Sequence, residues 1–131
     1  MELKYCKKTI KQCVDAYNAL LQINNVPCSY KTAYAMMQLK KELQEQVEFS
    51  AEQEMNIARK YAVKDQNGEI QWIARGRFRL EPDQAKDYYR EMEEMQSVEV
   101  QISPVQAGAP PESITMEQLE ALEGLLIFEE G

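Results

Sequence analysis

Three arginines at alternate positions, Arg75, Arg77 and Arg79, are the residues of this 131-residue chain best suited to binding a ligand. If residues 71–80 form one extended strand, these side chains project from one face at intervals of about 6.5–7 Å. A row of guanidinium groups suits phosphates or carboxylates, because each group donates paired hydrogen bonds in a fixed plane. The pattern is typical of an anion or nucleic-acid contact.

A second interpretation of the arginine row is structural, and the charge of the chain favours it. The helix expected next could fold back and neutralise the guanidinium groups with Asp83, Asp87, Glu91, Glu93 and Glu94. The formal net charge of −7 also argues against a nucleic-acid binder, since such proteins normally present a basic surface. We therefore expect no direct contact with nucleic acid.

The residues that common enzymatic reactions need are missing from the sequence. The chain has no histidine, so the usual zinc sites and the Ser–His or Cys–His pairs cannot form. Its five glycines are scattered, which excludes a glycine-rich phosphate loop. Carboxylate-only magnesium or glycosidase-like sites remain open, but no motif marks one. We expect a protein that is not an enzyme and that needs no cofactor or metal.

The cysteines and the apolar runs bear on the compartment. Cys6, Cys13 and Cys28 are an odd number without Cys-x-x-Cys spacing, which is typical of a reducing compartment. Cys13 lies on an apolar helical stripe, so we expect a small buried side chain and not a reactive thiol. No segment approaches the roughly 20 apolar residues of a membrane helix. The first eight residues carry charges where a signal peptide would be apolar. We expect a cytoplasmic protein without membrane contact.

Charge is divided unevenly along the chain. Residues 1–80 contain 13 Lys and Arg against 9 Asp and Glu, whereas residues 81–131 contain 2 against 13. The candidate acidic surface consists of Glu91, Glu93, Glu94, Glu117, Glu120 and Glu123. Three interpretations stay open: solvation of amphipathic helices, docking on a basic partner, or imitation of nucleic-acid phosphates. The asymmetry points to docking more than to chemistry.

The first half of the chain predicts a short strand and two helices. Residues 1–6 alternate as a strand does. The first helix is predicted from Thr9 onwards, and its apolar stripe begins at Ile10. Ser29 is a plausible cap for a second helix that runs to about Val63 without Gly or Pro. That helix is either continuous, with its far half covered by another surface or a second chain, or broken near residues 49–50. Its heptad positions are Met36, Leu43, Ser50 and Ile57.

The second half predicts a turn at Asn67-Gly68, a strand over 71–80, a helix from Pro82 and a strand over 98–102. Residues 103–113 read as a Pro/Gly linker, and a helix with a capping box begins at Thr115. We expect an α+β fold in which a helical hairpin with one long helix, and a third helix, pack on a small, mostly antiparallel sheet. Residues 1–102 form its core domain, and residues 114–131 form a short C-terminal amphipathic helix with an acidic tail.

The terminal helix is the candidate protein interface. Its apolar stripe consists of Leu119, Leu122, Leu126 and Phe128. Because the linker would separate this stripe from the core domain, we expect it to be exposed and to contact a partner or a second copy. Self-association of the chain is therefore expected.

The layout of most of the chain carries a resemblance to a known group of proteins, and its end is the most specific part. A short strand, a helical hairpin, an Asn-Gly turn and an arginine-bearing strand come first, and Glu81-Pro82, Tyr89 and Glu93-Glu94-Met95 follow. The strand Val98-Glu99-Val100-Gln101-Ile102 is followed by the linker and by a Leu-rich helix over residues 114–126. This order resembles the small acidic proteins of unknown function that tailed phages and prophages of Firmicutes encode. The resemblance implies an accessory or assembly role in the bacterial host cytoplasm. It implies no catalytic residues.

Two functions follow from these features. The first is non-catalytic protein binding, in which exposed apolar stripes on the second helix or the terminal helix dock and the acidic surface sets orientation and encounter rate. The alternative is an inhibitor of a host nucleic-acid enzyme or defence system that presents carboxylates as phosphate mimics. The two differ in salt dependence, which is weak for apolar docking and steep for a mimic.

Overall fold

The computed structural model describes residues 5–23 and 26–129, and it has an α+β fold. A 3-10 turn (Pro82–Gln84) leads into the third helix. The elements in chain order are β1 (Cys6–Thr9), α1 (Ile10–Gln22), α2 (Tyr30–Tyr61), β2 (Trp72–Ala74), β3 (Arg77–Phe78), α3 (Ala85–Gln96), β4 (Glu99–Ile102), β5 (Val105–Gln106), α4 (Met116–Leu122) and β6 (Leu126–Ile127). The strand expected over residues 1–6 falls largely on residues 1–4, which lie outside the described residues.

Helix α1 begins where its sequence predicts, at a capping box. The Thr9 hydroxyl accepts from the Gln12 backbone N–H at 3.2 Å, and the Gln12 side chain accepts from the Thr9 N–H at 2.9 Å. Two backbone donors that the helix leaves unpaired are thereby satisfied. The buried face includes Ile10, Cys13 and Leu20, so the prediction of a buried Cys13 is confirmed.

Helix α2 is continuous over 32 residues, which corresponds to a length of about 48 Å. Ser29 caps it as predicted, by accepting from the Thr32 backbone N–H. All four heptad positions are buried, which confirms the seven-residue pattern: Met36, Leu43, Ser50 and Ile57. The first half packs on α1, and the far half packs on α3 and beside the β2–β3 hairpin. The surface that covers the far half therefore belongs to the same chain.

Among the described residues, the strands form three separate two-stranded sheets and not one small sheet. β1 pairs antiparallel with β4, from Cys6 opposite Ile102 to Thr9 opposite Glu99. β2 and β3 are an antiparallel hairpin, and β5 pairs in parallel with β6. The predicted strand over residues 98–102 is thus confirmed as β4.

The strand expected over residues 71–80 is a hairpin in the structure. Gly76 has a φ of +73°, a conformation that side chains with a Cβ rarely adopt, and the chain reverses there. Trp72 pairs with Phe78 across the hairpin. The prediction of a single strand with three arginines on one face was therefore wrong, because Gly76 makes a turn within it.

Residues 103–113 are built into the fold and do not act as a free linker. Val105 and Ala107 donate backbone hydrogen bonds to Leu125 and Ile127, both at 2.8 Å. The hydroxyl of the fully buried Thr32 donates to the Ala109 carbonyl at 2.7 Å. These bonds fix the segment between α2 and the C-terminal strand, so residues 103–129 share one core with α1 and α2. The structure thus differs from the expected division at residue 103.

Candidate functional site

The arginine row lies on the β2–β3 hairpin, and the structure does not neutralise it. Arg75 lies in the turn, Arg77 in β3, and Arg79 directly after β3. All three are exposed, and within residues 5–23 and 26–129 no carboxylate forms an ion pair with any of them. The expected neutralisation by the acidic helix is not found. On α3, Asp87 pairs with Arg90 and Glu91 pairs with Lys60 instead.

The leucine stripe of α4 is core, which corrects the expected interface. Leu122 is 1 % exposed because α4 packs on α1, and Leu126, which lies beyond the helix in β6, is 4 % exposed. Both leucines belong to the main core cluster. Phe128 is half-buried against the same cluster. Only Leu119 of the four residues is classed as exposed, at 36 %. The stripe was read as an interface because residues 103–113 were expected to separate it from the core.

The candidate acidic surface is divided between two helices. Glu93 and Glu94 are exposed on α3, which packs on α2. Exposed carboxylates also lie on α4, which packs on α1, and just after it: Glu117, Glu120 and Glu123. Glu117 and Glu120 line a shallow groove together with Lys8 and Asp15. Glu91 stands apart from this group because it is partly buried and paired.

Glu91 connects the far half of α2 to α3. Its Oε1 accepts from the Lys60 Nζ at 2.8 Å. The hydrogen bond to Lys60 lowers the pKa of Glu91, and the nearby Tyr61 hydroxyl lowers it further. The carboxylate raises the pKa of Lys60 and Tyr61 in return. Glu91 Oε2 is buried and has no partner in hydrogen-bond geometry. The Tyr61 hydroxyl therefore lowers the pKa of Glu91 by lying near the carboxylate, without a well-formed hydrogen bond.

Cys13 is not a reactive site. Burial raises the pKa of its thiol to about 11, so the thiolate needed for nucleophilic attack is scarce at neutral pH. Cys6 and Cys28 are free and half-buried. No three acidic or cysteine side chains in the described ranges lie close enough together to hold a metal ion.

An exposed apolar surface lies on the first two turns of α2, at residues that no sequence prediction named. Tyr30 is 95 % exposed, Tyr34 59 % and Met37 42 %. Their spacing of i, i+4 and i+7 places them on one face of the helix, and we call them the docking face. The same line continues with polar residues, since Gln44 donates to Glu48 at 3.0 Å. The apolar part of this line therefore ends after Met37.

A groove runs along each side of the docking face. One groove, of about 590 Å³, separates Tyr34 and Met37 from the backbone of residues 103–106. The other, of about 430 Å³, is mostly apolar and includes Leu20, Val26, Pro27, Cys28 and Met36 in its lining. Met37 contributes to both grooves. Lys41 and Glu42 line the first groove, and Lys40 lines the second.

A signal for the docking face was present in the sequence. The buried heptad line of α2 includes Met36 and Leu43, and Tyr30, Tyr34 and Met37 fall off that line. Two tyrosines and a methionine at helical spacing on the opposite side of an amphipathic helix indicate a second apolar surface. Counting apolar residues on both sides of the helix would have found it.

Comparisons with protein-family models, with curated proteins and with solved structures give no match for this chain. No helix in the part of the chain that the structure describes is long and apolar enough to cross a membrane. The function must therefore be argued from the surfaces themselves.

Proposed function

We propose that this chain is a non-catalytic protein-binding module, and that Tyr30, Tyr34 and Met37 form the anchor of its binding site. The observation that carries the proposal is the exposure of two tyrosines and a methionine on one helical face between two grooves. Tyrosine is enriched among the residues that dominate binding energy at protein interfaces. Each aromatic side chain can bury about 150–250 Å² against a partner.

The partner we propose presents an apolar segment flanked by acidic residues. The apolar segment fits the face and the apolar groove beside Met36 and Pro27. Lys40 and Lys41 each line one of the two grooves beside the face. Carboxylates on the partner would meet these lysines, which would set its orientation and raise its association rate. Lys31 contributes less, because it is already paired with Glu129.

The biological setting we propose is that of an accessory or assembly protein of a tailed phage or prophage. The support for this setting is the sequence resemblance over residues 98–126. A binding module that works through one apolar face and charged flanks suits either a phage partner or a host partner.

The test is the selection of peptides from a displayed random library on the immobilised protein. We expect enriched peptides to combine aromatic or aliphatic anchors with Asp or Glu on one flank. The Tyr34→Asp variant should weaken their binding by roughly tenfold or more, as expected for an aromatic hot spot. The matched control is Phe49→Ala, which removes another exposed aromatic from α2 outside the docking face.

Two results would contradict the proposal. Enrichment of basic peptides whose binding depends on Glu117 and Glu120 would favour the acidic surface instead. The second result would come from sedimentation of the wild type and of the Tyr34→Asp variant. If the wild type is a dimer and the variant is a monomer, a second copy of the chain occupies the docking face.

A further inference from the structure

We propose that the β2–β3 hairpin binds single-stranded nucleic acid, with Arg75, Arg77 and Arg79 on the phosphates and the Trp72 indole stacked on a base. This site is separate from the docking face and does not depend on it. The net charge of the whole chain argued against such contact, but the structure concentrates positive charge on this hairpin.

The hairpin is fixed at its base and open at its tip. Val63 donates to the Arg79 carbonyl at 2.8 Å, and Gln71 donates to the Val63 carbonyl at 2.9 Å. Ala62 and Leu80 form a further bridge. Residues 71–77, in contrast, are all exposed. The tip is therefore a two-stranded ribbon that projects from an anchored base.

The charges around the hairpin leave its guanidinium groups available. Residues 71–80 contain three arginines and no acidic residue, and the acidic residues that flank them in sequence are Asp65, Glu69, Glu81 and Asp83. The Asp65 carboxylate is engaged, since it accepts from the backbone N–H groups of Asn67 and Glu69 at 2.8 and 3.0 Å. The nearest acidic helix uses Glu91 and Asp87 on its own cationic partners. A local positive field results, although the molecule as a whole is acidic.

The arginine positions suit a polyanion. Phe78 and Leu80 are half-buried while Arg77 and Arg79 are exposed, so the two arginines alternate outward at about 6.5–7 Å. Arg75 extends the positive surface into the turn. Guanidinium groups bind phosphate through paired charge-assisted hydrogen bonds. Because the ribbon is only two β-strands wide, the long arginine side chains can reach a single strand of nucleic acid that passes along either edge.

Trp72 makes a nucleic acid a better fit than an acidic protein segment. Its ring is 47 % exposed and is held edge-on by Phe78, with ring centroids 5.7 Å apart and an angle of 87°. An exposed indole beside unpaired arginines resembles the stacking platforms of single-strand-binding proteins. Stacking needs an unpaired base, which favours a single strand over a duplex. Ile73, 58 % exposed, adds apolar surface at the same tip.

The test uses the intrinsic fluorescence of the intact chain, because Trp72 is its one tryptophan. Addition of oligothymidylate should quench this fluorescence. For three phosphate contacts on a single strand, the logarithm of the binding constant should fall against the logarithm of salt with a slope of about −2.

Variants locate the contact, and anisotropy of a labelled oligothymidylate measures it. The triple change Arg75→Gln, Arg77→Gln, Arg79→Gln should weaken binding roughly tenfold or more, since charge-assisted hydrogen bonds are lost. Trp72→Ala should weaken it by roughly five- to a hundredfold through lost stacking. Arg90→Gln is the matched control, because it removes the same charge from α3 and should leave binding unchanged.

Three results would overturn the inference. The first is an absence of quenching and of anisotropy change at low salt. The second is equal binding of polyglutamate, which would make the hairpin a site for acidic proteins. The third is equal binding of a duplex of the same length, which would exclude stacking of Trp72. Because all four changed side chains are exposed, the variants should melt as the wild type does.

Discussion

Single residues in this protein take opposite roles according to what their neighbours supply. Glu91 and Glu93 lie two positions apart on α3, yet Glu91 is paired with Lys60 while Glu93 is exposed. Arg90 is paired with Asp87, whereas Arg77 has no carboxylate partner among the described residues. The sequence places these charges close together, but only packing determines which of them meet.

The Lys60–Glu91 pair makes stability depend on pH. Because the pKa of Glu91 is held below its ordinary value of 4.5, the pair stabilises the fold above that pH. The contribution disappears as the pH falls through the lowered pKa, since the carboxylate is then protonated in the folded state too. We expect Glu91→Gln to lower the free energy of unfolding at pH 7, and this deficit to shrink in acid.

Urea denaturation of both proteins over a series of pH values measures this deficit. Glu93→Gln serves as the control, because it removes an exposed carboxylate from the same helix. A deficit for Glu91→Gln that stays constant into strong acid would contradict the assigned role of the ion pair. Added salt should reduce the deficit at pH 7, because the pair is partly exposed.

At the scale of elements, the start of α2 is connected to the segment that follows β4. Gly108 passes so close to the helix that a Cβ there would lie 2.9 Å from the Ser29 hydroxyl. The Thr32 hydroxyl accepts from Ser29 at 3.0 Å and donates to Ala109. The helix cap and the neighbouring segment therefore share one hydrogen-bonded chain.

Replacing Thr32 by valine keeps the side-chain shape and removes the hydroxyl. We expect a loss of about 1–3 kcal/mol in the free energy of unfolding, because a buried hydrogen bond is removed and its partner groups lose a contact. Chemical denaturation measures the loss. Ser113→Ala is the control, since it removes an exposed hydroxyl from the same segment. Equal stability of both variants would show that the bond to Ala109 contributes nothing.

Local signals in the sequence predicted the elements well. The capping box at Thr115, the Ser29 cap and the heptad line of α2 were predicted because they depend on residues within one or two turns, whereas the capping box at Thr9 was not predicted. The turn at Gly76 was harder to predict. The residues on both sides of it alternate as in one strand, and this pattern is the same whether the glycine forms a bulge or a turn. The pairing of residues 105–106 with 126–127 was not predictable from local pattern, since about 20 residues separate the strands.

The candidate surfaces were likewise predictable where they depend on nearby residues and not where they depend on packing between distant elements. The arginines were identified from the sequence, but their lack of carboxylate partners depends on how α3 packs. The stripe containing Leu119 and Leu122 was predicted to be an exposed interface, but Leu122 is buried in the core. An apolar stripe alone does not show whether the same chain or a partner covers it. Tyr30 and Tyr34 show the converse: apolar residues that a helix leaves exposed.

At the scale of the whole molecule, one core spans both ends of the described chain. Leu122, Leu125 and Leu126 pack in the same cluster as Leu20 and Leu39. The terminal helix is thus a structural part of the domain, and its removal would open the face of α1 and α2 that it covers.

Shortening the Leu122 side chain to alanine tests whether this core is a single one. We expect Leu122→Ala to lower the free energy of unfolding by about 2–5 kcal/mol, the usual effect of a cavity at a fully buried leucine. Leu119→Ala, at an exposed position of the same helix, is the control and should change little. Thermal denaturation at several protein concentrations supplies the measurement. A midpoint that rises with concentration in the wild type and not in Leu122→Ala would place Leu122 between chains.

The parallel pairing of β5 with β6 has a consequence for synthesis. Ribosomes deliver a chain from its N-terminus, so α1 and α2 emerge long before the leucines that cover them. The core can close only when residues 122–126 have left the exit tunnel. Until then, the apolar surface of the nascent α1–α2 hairpin that these leucines cover stays exposed.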